Sequence, residues 1–474
     1  MASGIRERSP QPQPAPASTG DALRTLVLRY DRRKEPIPVN FRKLLPALNA
    51  ADRFTHLLHP YPAKLLMHIP YFFLANEQLS HPGDLVLDPF CGSGTVLLEA
   101  QLAGRRAYGV DTNPLARLIA RVKTAPLDTV AAKTTLDTLL KGLPKTPSGP
   151  PPDVVNLRHW FYPSIARQIQ CLQEAVIRVA APAIREFLSV CLSVCIRKVS
   201  LADPRLSVPV RLRADQYPPH HRLHATTNTH LGQLRHVRVK DVFASIAHAN
   251  ILRFEKLWAH SRHYEAAEVI CSDAKNLVHE YSGNGSRGLH LADNSVQLII
   301  TSPPYPGAQK YIRASSLSLG WLGLCPTSEL RAYKGRTIGR EEFTQFEVMQ
   351  APLTGIPEAD SAIAAIRRHS PTRAAIAATY IVEMQSAFGE MYRVLKPGGH
   401  IVLVIANNRI AGRTFRTPAY MKSIAMECGL TVTACFIDAI RSRGLMTKRN
   451  HTASMITREW IFLFTKGDAL QWSR

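Results

Sequence analysis

What this 474-residue sequence lacks narrows its class first. No apolar run approaches the ~20 residues needed to span a bilayer, because charges interrupt every long apolar stretch within a few residues. The opening MASGIRERSPQPQPAPASTG has no apolar core of the secretory kind and is rich in Pro, Ser, Gln and Ala. Residues 1–20 are therefore expected to form a disordered tail. Cysteine is sparse: the eight residues, at 91, 171, 191, 195, 271, 325, 428 and 435, lie mostly inside apolar stretches and show no paired short spacing of the metal-ribbon kind. No metal site is expected. A soluble, cytoplasmic chain in a reduced compartment, with no membrane partner, fits best. Cys191 and Cys195, four apart on a predicted helix, read as packing residues. Acidic residues are scarce as well: 36 Asp and Glu face 59 Lys and Arg, a formal charge of +23 spread along the chain. Such a field favours a polyanion partner, although charge alone also suits a generically basic protein.

The length exceeds a typical single domain, so either one large domain with an insertion or two domains sharing an interface is expected. Apolar residues at helical spacing after a Pro-rich entry predict a helix over about 63–79. DLVLDPF then reads as a strand running into the glycine turn CGSG, and TVLLEAQLAG as a helix closed by Gly104. A second strand, RAYGVD, ends at Asp111 and leads into the helix NPLARLIARVK. Strand, glycine turn, helix, strand opens a doubly wound sheet that holds a nucleotide-like ligand at the carboxyl ends of its strands.

The Pro-rich stretch LPKTPSGPPP at 143–152 breaks that pattern and reads as a linker into an inserted segment. Helices are predicted at both ends of this segment, with a polar loop over 203–240 between them. Strands return in AEVICSD (267–273) and SVQLIITSPPY (295–305), and again, after the helix MQSAFGEMYRVL and the turn KPGG, in HIVLVIAN, with TREWIFLFTK as the last. The expected class is α/β, a Rossmann-like doubly wound sheet with a helical and loop-rich insertion. Its parts are a tail at 1–20, a cofactor-binding half at 21–142, the insertion at 143–262, and a second half at 263–474 carrying the catalytic motif.

Two pieces carry the chemistry, DPFCGSGT at 88–95 and TSPPY at 301–305, each directly after a predicted strand. Gly92 and Gly94 let the backbone approach a ligand and are expected to leave amide groups free at a helix start, where a carboxylate or phosphate is stabilised. A glycine loop after a strand is common to dehydrogenases, kinases and plain turns. Asp111, at the end of the next strand, adds an acid able to accept both ribose hydroxyls of an adenosyl group. In the second piece, an exocyclic base amine is a poor nucleophile because its lone pair is delocalised into the ring. A site must accept the amine's hydrogens, which Ser302 Oγ and the Pro303 carbonyl can do, with Pro304 holding that carbonyl rigidly and Tyr305 offering a face to a base turned out of its duplex. A Pro-Pro turn with a buried tyrosine is the bland alternative for SPPY in isolation.

These motifs resemble those of the DNA amino-methyltransferases, which make N4-methylcytosine and N6-methyladenine, and the resemblance covers most of residues 54–466. DPFCGSGT is similar to the family's cofactor loop, TSPPY to its catalytic motif, HPYPAK at 59–64 to the segment at the methionine end of the cofactor, and VICSDAKNL to the strand meeting the adenine. The resemblance implies the class I fold that binds S-adenosylmethionine. Contacts to that cofactor are implied for Lys64, Asp88, Phe90, Gly92, Gly94, Thr95, Asp111, Asp273 and Ala274, with Asp88, Gly92 and Gly94 at its amino-acid portion, Asp111 at the ribose, and Asp273 and Ala274 at the adenine. Ser302, Pro303, Pro304 and Tyr305 would hold the target base of duplex DNA. The order of motifs is one of the family's permutations, with target recognition expected in the insertion, and a nucleoid-associated place in the cell follows. A restriction endonuclease or another defence-system protein stays open as a partner.

Ser302 after Thr301 favours cytosine N4, since adenine enzymes and several RNA guanine enzymes typically carry Asp or Asn there. Adenine N6 is the alternative, because Ser, Asn and Asp all accept an amine hydrogen. Methylation at ring carbon 5 needs a cysteine nucleophile after the proline, and position 304 is Pro. An RNA base-amine methyltransferase shares a similar glycine loop and Pro-Pro-Tyr, but Ser302, HPYPAK and the lack of a recognisable RNA-binding domain before residue 54 count against it. An inactive nucleic-acid-binding or cofactor-sensing module would show a broken tetrapeptide, whereas SPPY is intact. For DNA recognition, residues 203–240 hold six arginines, Lys240, five histidines and a Thr/Asn run against two acids. Arg211, Arg213 and Arg222 are the candidates to hold phosphate or read guanine, with RSRGLMTKRNH at 441–451 the next basic segment. A solvated surface loop is the competing reading.

Overall fold

Alternating and continuous apolar runs assemble eight strands into one sheet in the computed structural model, which describes residues 16–46, 48, 53–62, 64–260, 266–279, 289–307, 311–440 and 457–468. The strands are β1 (Ile37–Val39), β2 (Leu85–Asp88), β3 (Arg106–Val110), β4 (Glu268–Cys271), β5 (Val296–Thr301), β6 (Leu395–Ile405), β7 (Leu430–Ala439) and β8 (Arg458–Lys466). Their order across the sheet is β1-β7-β8-β6-β5-β2-β3-β4. From β4 to β6 neighbouring strands run parallel, while β8 is antiparallel to both β6 and β7. The central parallel strands are covered on both faces, so their runs are buried without alternation: Leu298, Ile299, Ile300 and Thr301 on β5, and every residue from His400 to Ile405 on β6. The chain builds outward through β2, β3 and β4, then returns to place β5 on the other side of β2. The β2–β5 junction is thus a topological switch point, where a crevice opens beyond the strand ends. This is the doubly wound α/β fold expected from the motif order.

Four local features differ from the sequence-based expectation. The helix expected over 63–79 is only His68–Leu74, preceded by a 3-10 turn at Phe54–Leu57. Pro70 accounts for the late start, because proline is tolerated only in the first turn, where its missing N–H is unneeded. The tail expected at 1–20 ends earlier, since a helix runs Pro16–Arg33; residues 1–15 lie outside the described residues. That helix is anchored by Leu23, Leu26, Val27 and Tyr30, an i, i+3, i+4, i+7 stripe buried in the main core. The loop expected at 203–240 contains the helix His224–His236, which buries Leu231 and Leu234 against Leu201 and Leu212. Finally, the Lys396–Gly399 turn is continuous with β6.

A second hydrophobic core lies beside the sheet, and it is wider than the inserted segment. It joins insertion helices at Pro163–Ile177, Pro182–Lys198 and Val239–His260 with the earlier helices Pro114–Thr124 and Thr129–Lys141 and the later helix Tyr311–Trp321. Edge-to-face contacts of Phe187 with Phe254 and Phe161 with Trp321 sit within it. Cys191 and Cys195 are fully enclosed there, and burial pushes both thiols up to about 12, the behaviour of packing residues.

Candidate active site

Register places the two motifs side by side. Val86 pairs with Leu298 and Leu87 with Ile299, so DPFCGSGT and TSPPY leave adjacent strands at the same sheet edge. Asp88 and Thr301 tie them together: the Thr301 hydroxyl donates to Asp88 Oδ1 at 2.6 Å, both residues being buried. Burial pushes the Asp88 carboxyl up to about 7, against the pull of the Thr301 hydroxyl and the Phe90 amide.

The glycine loop uses its amides differently from the expectation. Phe90 N donates to Asp88 Oδ1, Cys91 N to the Val110 carbonyl and Gly94 N to the Cys91 carbonyl, and Gly92 N to Asp111 Oδ2 at 2.9 Å. These amides are therefore spent on the protein itself. Asp111 also accepts the Asn113 amide on Oδ1 at 2.8 Å. Burial raises its carboxyl to about 6. The two glycines also differ in purpose. A Cβ on Gly92 would meet only the Tyr61 ring, at 3.6 Å, whereas one on Gly94 would lie 3.1 Å from both Cα and Cβ of Ala120. Gly94 permits close helix packing, and Gly92 keeps the approach to Tyr61 open. Thr95 is buried in the first turn of the following helix.

A solvent-open cleft of about 670 Å³ occupies the switch point and is lined from both halves of the chain. Phe90, Gly92, Asp111, Asp273, Ala274, Ser302 and Pro304 from the sequence-based set meet there. Asp273 Oδ1 accepts the Lys275 amide at 2.9 Å, fixing the carboxylate. Pro303 is buried and, like Asp88, Gly94, Thr95 and Lys64, is not part of the lining. Tyr305 packs partly buried against the main core. The lining aromatics are Tyr61, Phe90 and Tyr311.

Sequence reasoning missed the parts of the wall that motifs do not mark: Tyr61, Asn113, Tyr311, Thr337 and Ile338. Asn113 is the hinge of the arrangement. Its Oδ1 caps the helix Pro114–Thr124 through Leu115 N, and its Nδ2 donates to the Tyr61 hydroxyl at 3.1 Å and to Ser315 Oγ at 2.9 Å. The NPL run directly after the Asp111 strand was a readable capping signal, with Asn at the N-cap and Pro at N1. A second buried chain runs from His59 Nε2 to Ser193 Oγ and on to Ser318 Oγ, binding HPYPAK to the insertion.

HPYPAK is held by an enclosed ionic cluster. Arg53 makes a two-pronged contact with Glu99, Nε to Oε1 and Nη2 to Oε2, both at 2.7 Å, and His56 Nε2 lies 2.6 Å from Glu99 Oε1. Burial pushes Glu99 up, but hydrogen bonds from His56 and Arg53 overcome it and hold the acid at about 2. Burial lowers His56 to about 4, leaving it neutral. The Lys64 ammonium donates to the carbonyls of His56 and His59, bracing its own segment. Burial lowers it to about 8.

The insertion's basic residues stand apart from the cleft lining. Arg213 and Arg222 are exposed. Arg211 is half-buried, bridges to Ala202 on the backbone, and places Nη1 3.3 Å from His159 Nδ1. Arg205 is instead paired with Asp203 at 2.6 Å and stacked on Tyr217. The basic segment 441–451 lies outside the described residues.

A doubly wound sheet with an acid-bearing cleft at its switch point, bordered on one side by the Ser-Pro-Pro-Tyr turn, defines a Rossmann-like framework of the kind that holds a nucleotide-like ligand at its strand ends. Residues 69–121 match the N6/N4 methyltransferase family model, described as DNA methylase. The type II methyltransferase M.MvaI of Kocuria varians is 22% identical over 414 residues, 84% of this chain and 87% of its own. The type II methyltransferase M.MjaII of Methanocaldococcus jannaschii is 34% identical over 108 residues, 21% of this chain and 20% of its own. Among solved structures, a Thermus thermophilus protein described as a candidate DNA modification methylase aligns over 39% of this chain and 50% of its own, at 15% identity and a TM-score of 0.17. The family-model match over 69–121 and the methyltransferase relatives make the chain similar to the DNA amino-methyltransferases.

Proposed function

We propose that the chain transfers the methyl group of S-adenosylmethionine to an exocyclic amine of a base in DNA, with cytosine N4 as the target. The carrying observation is that Asp111 and Asp273 share one cleft with Ser302 and Pro304 across the β2–β5 junction. The donor set fits an adenosyl ligand. Asp111, with each oxygen already anchored by one amide, keeps its other lone pairs for ribose hydroxyls. Asp273 and Ala274 would flank the adenine, and Tyr61 and Phe90 supply apolar wall. Bound there, S-adenosylmethionine supplies an electrophilic methyl group. Ser302 and the Pro303 carbonyl would accept the amine's hydrogens and turn its lone pair toward that methyl. Ser at 302, and not Asp or Asn, supports cytosine over adenine. The exposed Arg213 and Arg222, with Arg211, would contact the duplex from the insertion. The type II designation of both relatives supports a place in a restriction–modification pair.

The test is incubation with tritiated methyl donor and, separately, duplex DNA, single-stranded DNA and total tRNA. Label is expected in duplex DNA. Label in tRNA alone would replace this reading with an RNA base-amine enzyme.

A further inference from the structure

Part of the cleft wall is left unused by the cofactor. Phe90 and Gly92 follow β2, Asp111 follows β3 and Asp273 follows β4, so the adenosyl half is built at three strand ends. Tyr311, Ile312, Thr337 and Ile338 come from the chain beyond Ser302 and Pro304 and complete the lining. Of the aromatic rings in that lining, Phe90 belongs to the glycine turn, and Tyr61 lies where a Cβ on Gly92 would meet it at 3.6 Å. The Tyr61 hydroxyl is further held by Asn113. Both rings therefore serve the cofactor half. Among the described residues, Tyr311 is the lining ring that follows the tetrapeptide. Tyr305, the ring that the motif itself offers to a base, is not part of the lining and packs against the main core instead.

Both flanks of this unused wall are fixed. Tyr311 opens the helix Tyr311–Trp321 and is half-buried. One turn further, Ser315 Oγ accepts from Asn113 Nδ2 at 2.9 Å, and Ser318 Oγ accepts from Ser193 Oγ at 2.8 Å. These bonds tie the helix to the end of β3 and to the insertion. On the other flank, Ile338 is buried against the main core, and Gly307 N donates to the Gly339 carbonyl at 3.0 Å just past the tetrapeptide. Gly339 has a φ of +74°, and a Cβ there would lie 3.0 Å from the Tyr305 carbonyl oxygen. Glycine thus lets the 337–340 segment lie directly on the tetrapeptide. Arg340 then anchors the segment through ion pairs with Glu383 and Glu347, both at 3.0 Å. Tyr311, Ile338 and Ser302 line one space from fixed backbone positions, which supplies the flat face, apolar side and polar edge that a flipped base needs.

We propose that Tyr311, and not Tyr305, is the ring on which the target base lies once it has left the duplex, with Ile338 as apolar wall and Ser302 at the amine. The inference rests on the base-amine reading of the cleft and divides the work around the tetrapeptide. Ser302 and the Pro303 carbonyl address the exocyclic amine, while Tyr305 packs the turn onto the sheet. Stacking on an aromatic ring is tolerant of base identity, because every base has a π face. Tyr311 therefore captures the base, and the choice of atom stays with Ser302.

Methyl transfer from tritiated S-adenosylmethionine to unmethylated duplex DNA of mixed sequence tests this in the full-length native chain, Tyr311→Leu and Tyr311→Phe, with cofactor affinity measured by calorimetry beside it. Tyr311→Leu should lower kcat/KM for DNA on the order of 10- to 100-fold, the range for losing one stacking ring, with cofactor affinity unchanged. Tyr311→Phe, which keeps the ring, should recover most of that loss. A measurement without any variant is photocrosslinking of the native chain to duplex DNA carrying 5-iodocytosine, where attachment at Tyr311 is expected; attachment at Tyr305 with Tyr311 unmodified overturns the proposal. Native kcat/KM in Tyr311→Leu also overturns it and leaves the base-amine reading standing. Loss of cofactor affinity in a folded Tyr311→Leu assigns the ring to the adenosyl group and likewise overturns it. No label in DNA from a cofactor-binding native chain overturns the base-amine reading and this inference with it.

Discussion

Gly92 and Gly94 sit two residues apart in the same turn, both with positive φ, +50° and +74°, yet the structure gives them separate work that substitution by alanine can resolve. Either variant places a Cβ in the left-handed region, at a cost of ~1–3 kcal/mol. At Gly92 that is the main penalty, because the new carbon meets the Tyr61 ring at an ordinary 3.6 Å. At Gly94 the carbon would lie 3.1 Å from Cα and Cβ of Ala120, so the helices Thr95–Leu102 and Pro114–Thr124 must separate or the loop must shift. Overpacking of this kind adds a further ~1–3 kcal/mol. Gly94→Ala should therefore be less stable than Gly92→Ala by ~1–3 kcal/mol in urea titrations, with unchanged m values. Cofactor binding should rank the other way, since the Gly92 carbon projects into the lined cleft beside Tyr61. Calorimetric titration of each folded variant reads that ranking. Equal stability losses, or a weaker cofactor complex for Gly94→Ala than for Gly92→Ala, would refute the assignment of one glycine to packing and the other to the ligand.

Asp111→Asn should weaken cofactor binding by ~1.5–3 kcal/mol and leave one of the two anchoring amides facing an NH2 group, costing ~1–3 kcal/mol of stability; calorimetry beside urea titration separates the two. Asp111 also has a pH signature. Its folded value, about 6, lies above the ordinary 3.8, so its stabilising contribution is full below about 4 and is lost as the pH rises through about 6. The native protein's stability advantage over Asp111→Asn, measured without cofactor, should shrink by up to ~3 kcal/mol from pH 4 to pH 7, and a constant difference would count against a buried neutral acid there. Glu99→Gln, which leaves Arg53 buried without its counter-charge, should cost ~3–5 kcal/mol and loosen the Tyr61 segment; a native-like urea midpoint would deny the cluster that role. Replacing Arg211 and Arg213 together with Ala should weaken DNA binding and flatten its salt dependence by about one unit of slope per lost phosphate contact, whereas an unaltered slope would move recognition elsewhere.

The legible part of this protein is the part where local residue type and strand position coincide. Glycines after an apolar run, an acid at the next strand end, and Ser-Pro-Pro-Tyr after a third apolar run each carry their meaning within a few residues, and the sheet brings Gly92, Asp111 and Ser302 to one cleft. What stayed hidden depends on contacts between distant segments. Nothing local to Asn113 announces that its Nδ2 bridges Tyr61 and Ser315, nor that Thr337 and Ile338 complete the wall. The helix His224–His236 was obscured because its Thr, Asn and His residues have low helix propensity; burial of Leu231 and Leu234 against Leu201 and Leu212 overrides that preference. The overlong helix at 63–79 shows the reverse error, in which apolar spacing outweighed the limit that Pro70 sets on where a helix can begin. The glycines alone suggest free loop amides, but the Gly92 amide is taken by Asp111 at the end of the neighbouring strand and the Gly94 amide by the Cys91 carbonyl within the loop.

The most direct measurement is nucleoside mass spectrometry of DNA from cells expressing the native chain or Ser302→Ala. The account predicts N4-methylcytosine with the native chain and its near-absence with Ser302→Ala at equal expression. N6-methyladenine in its place would contradict the cytosine assignment, and DNA with no methylated amine from a folded, cofactor-binding native chain would contradict the account as a whole.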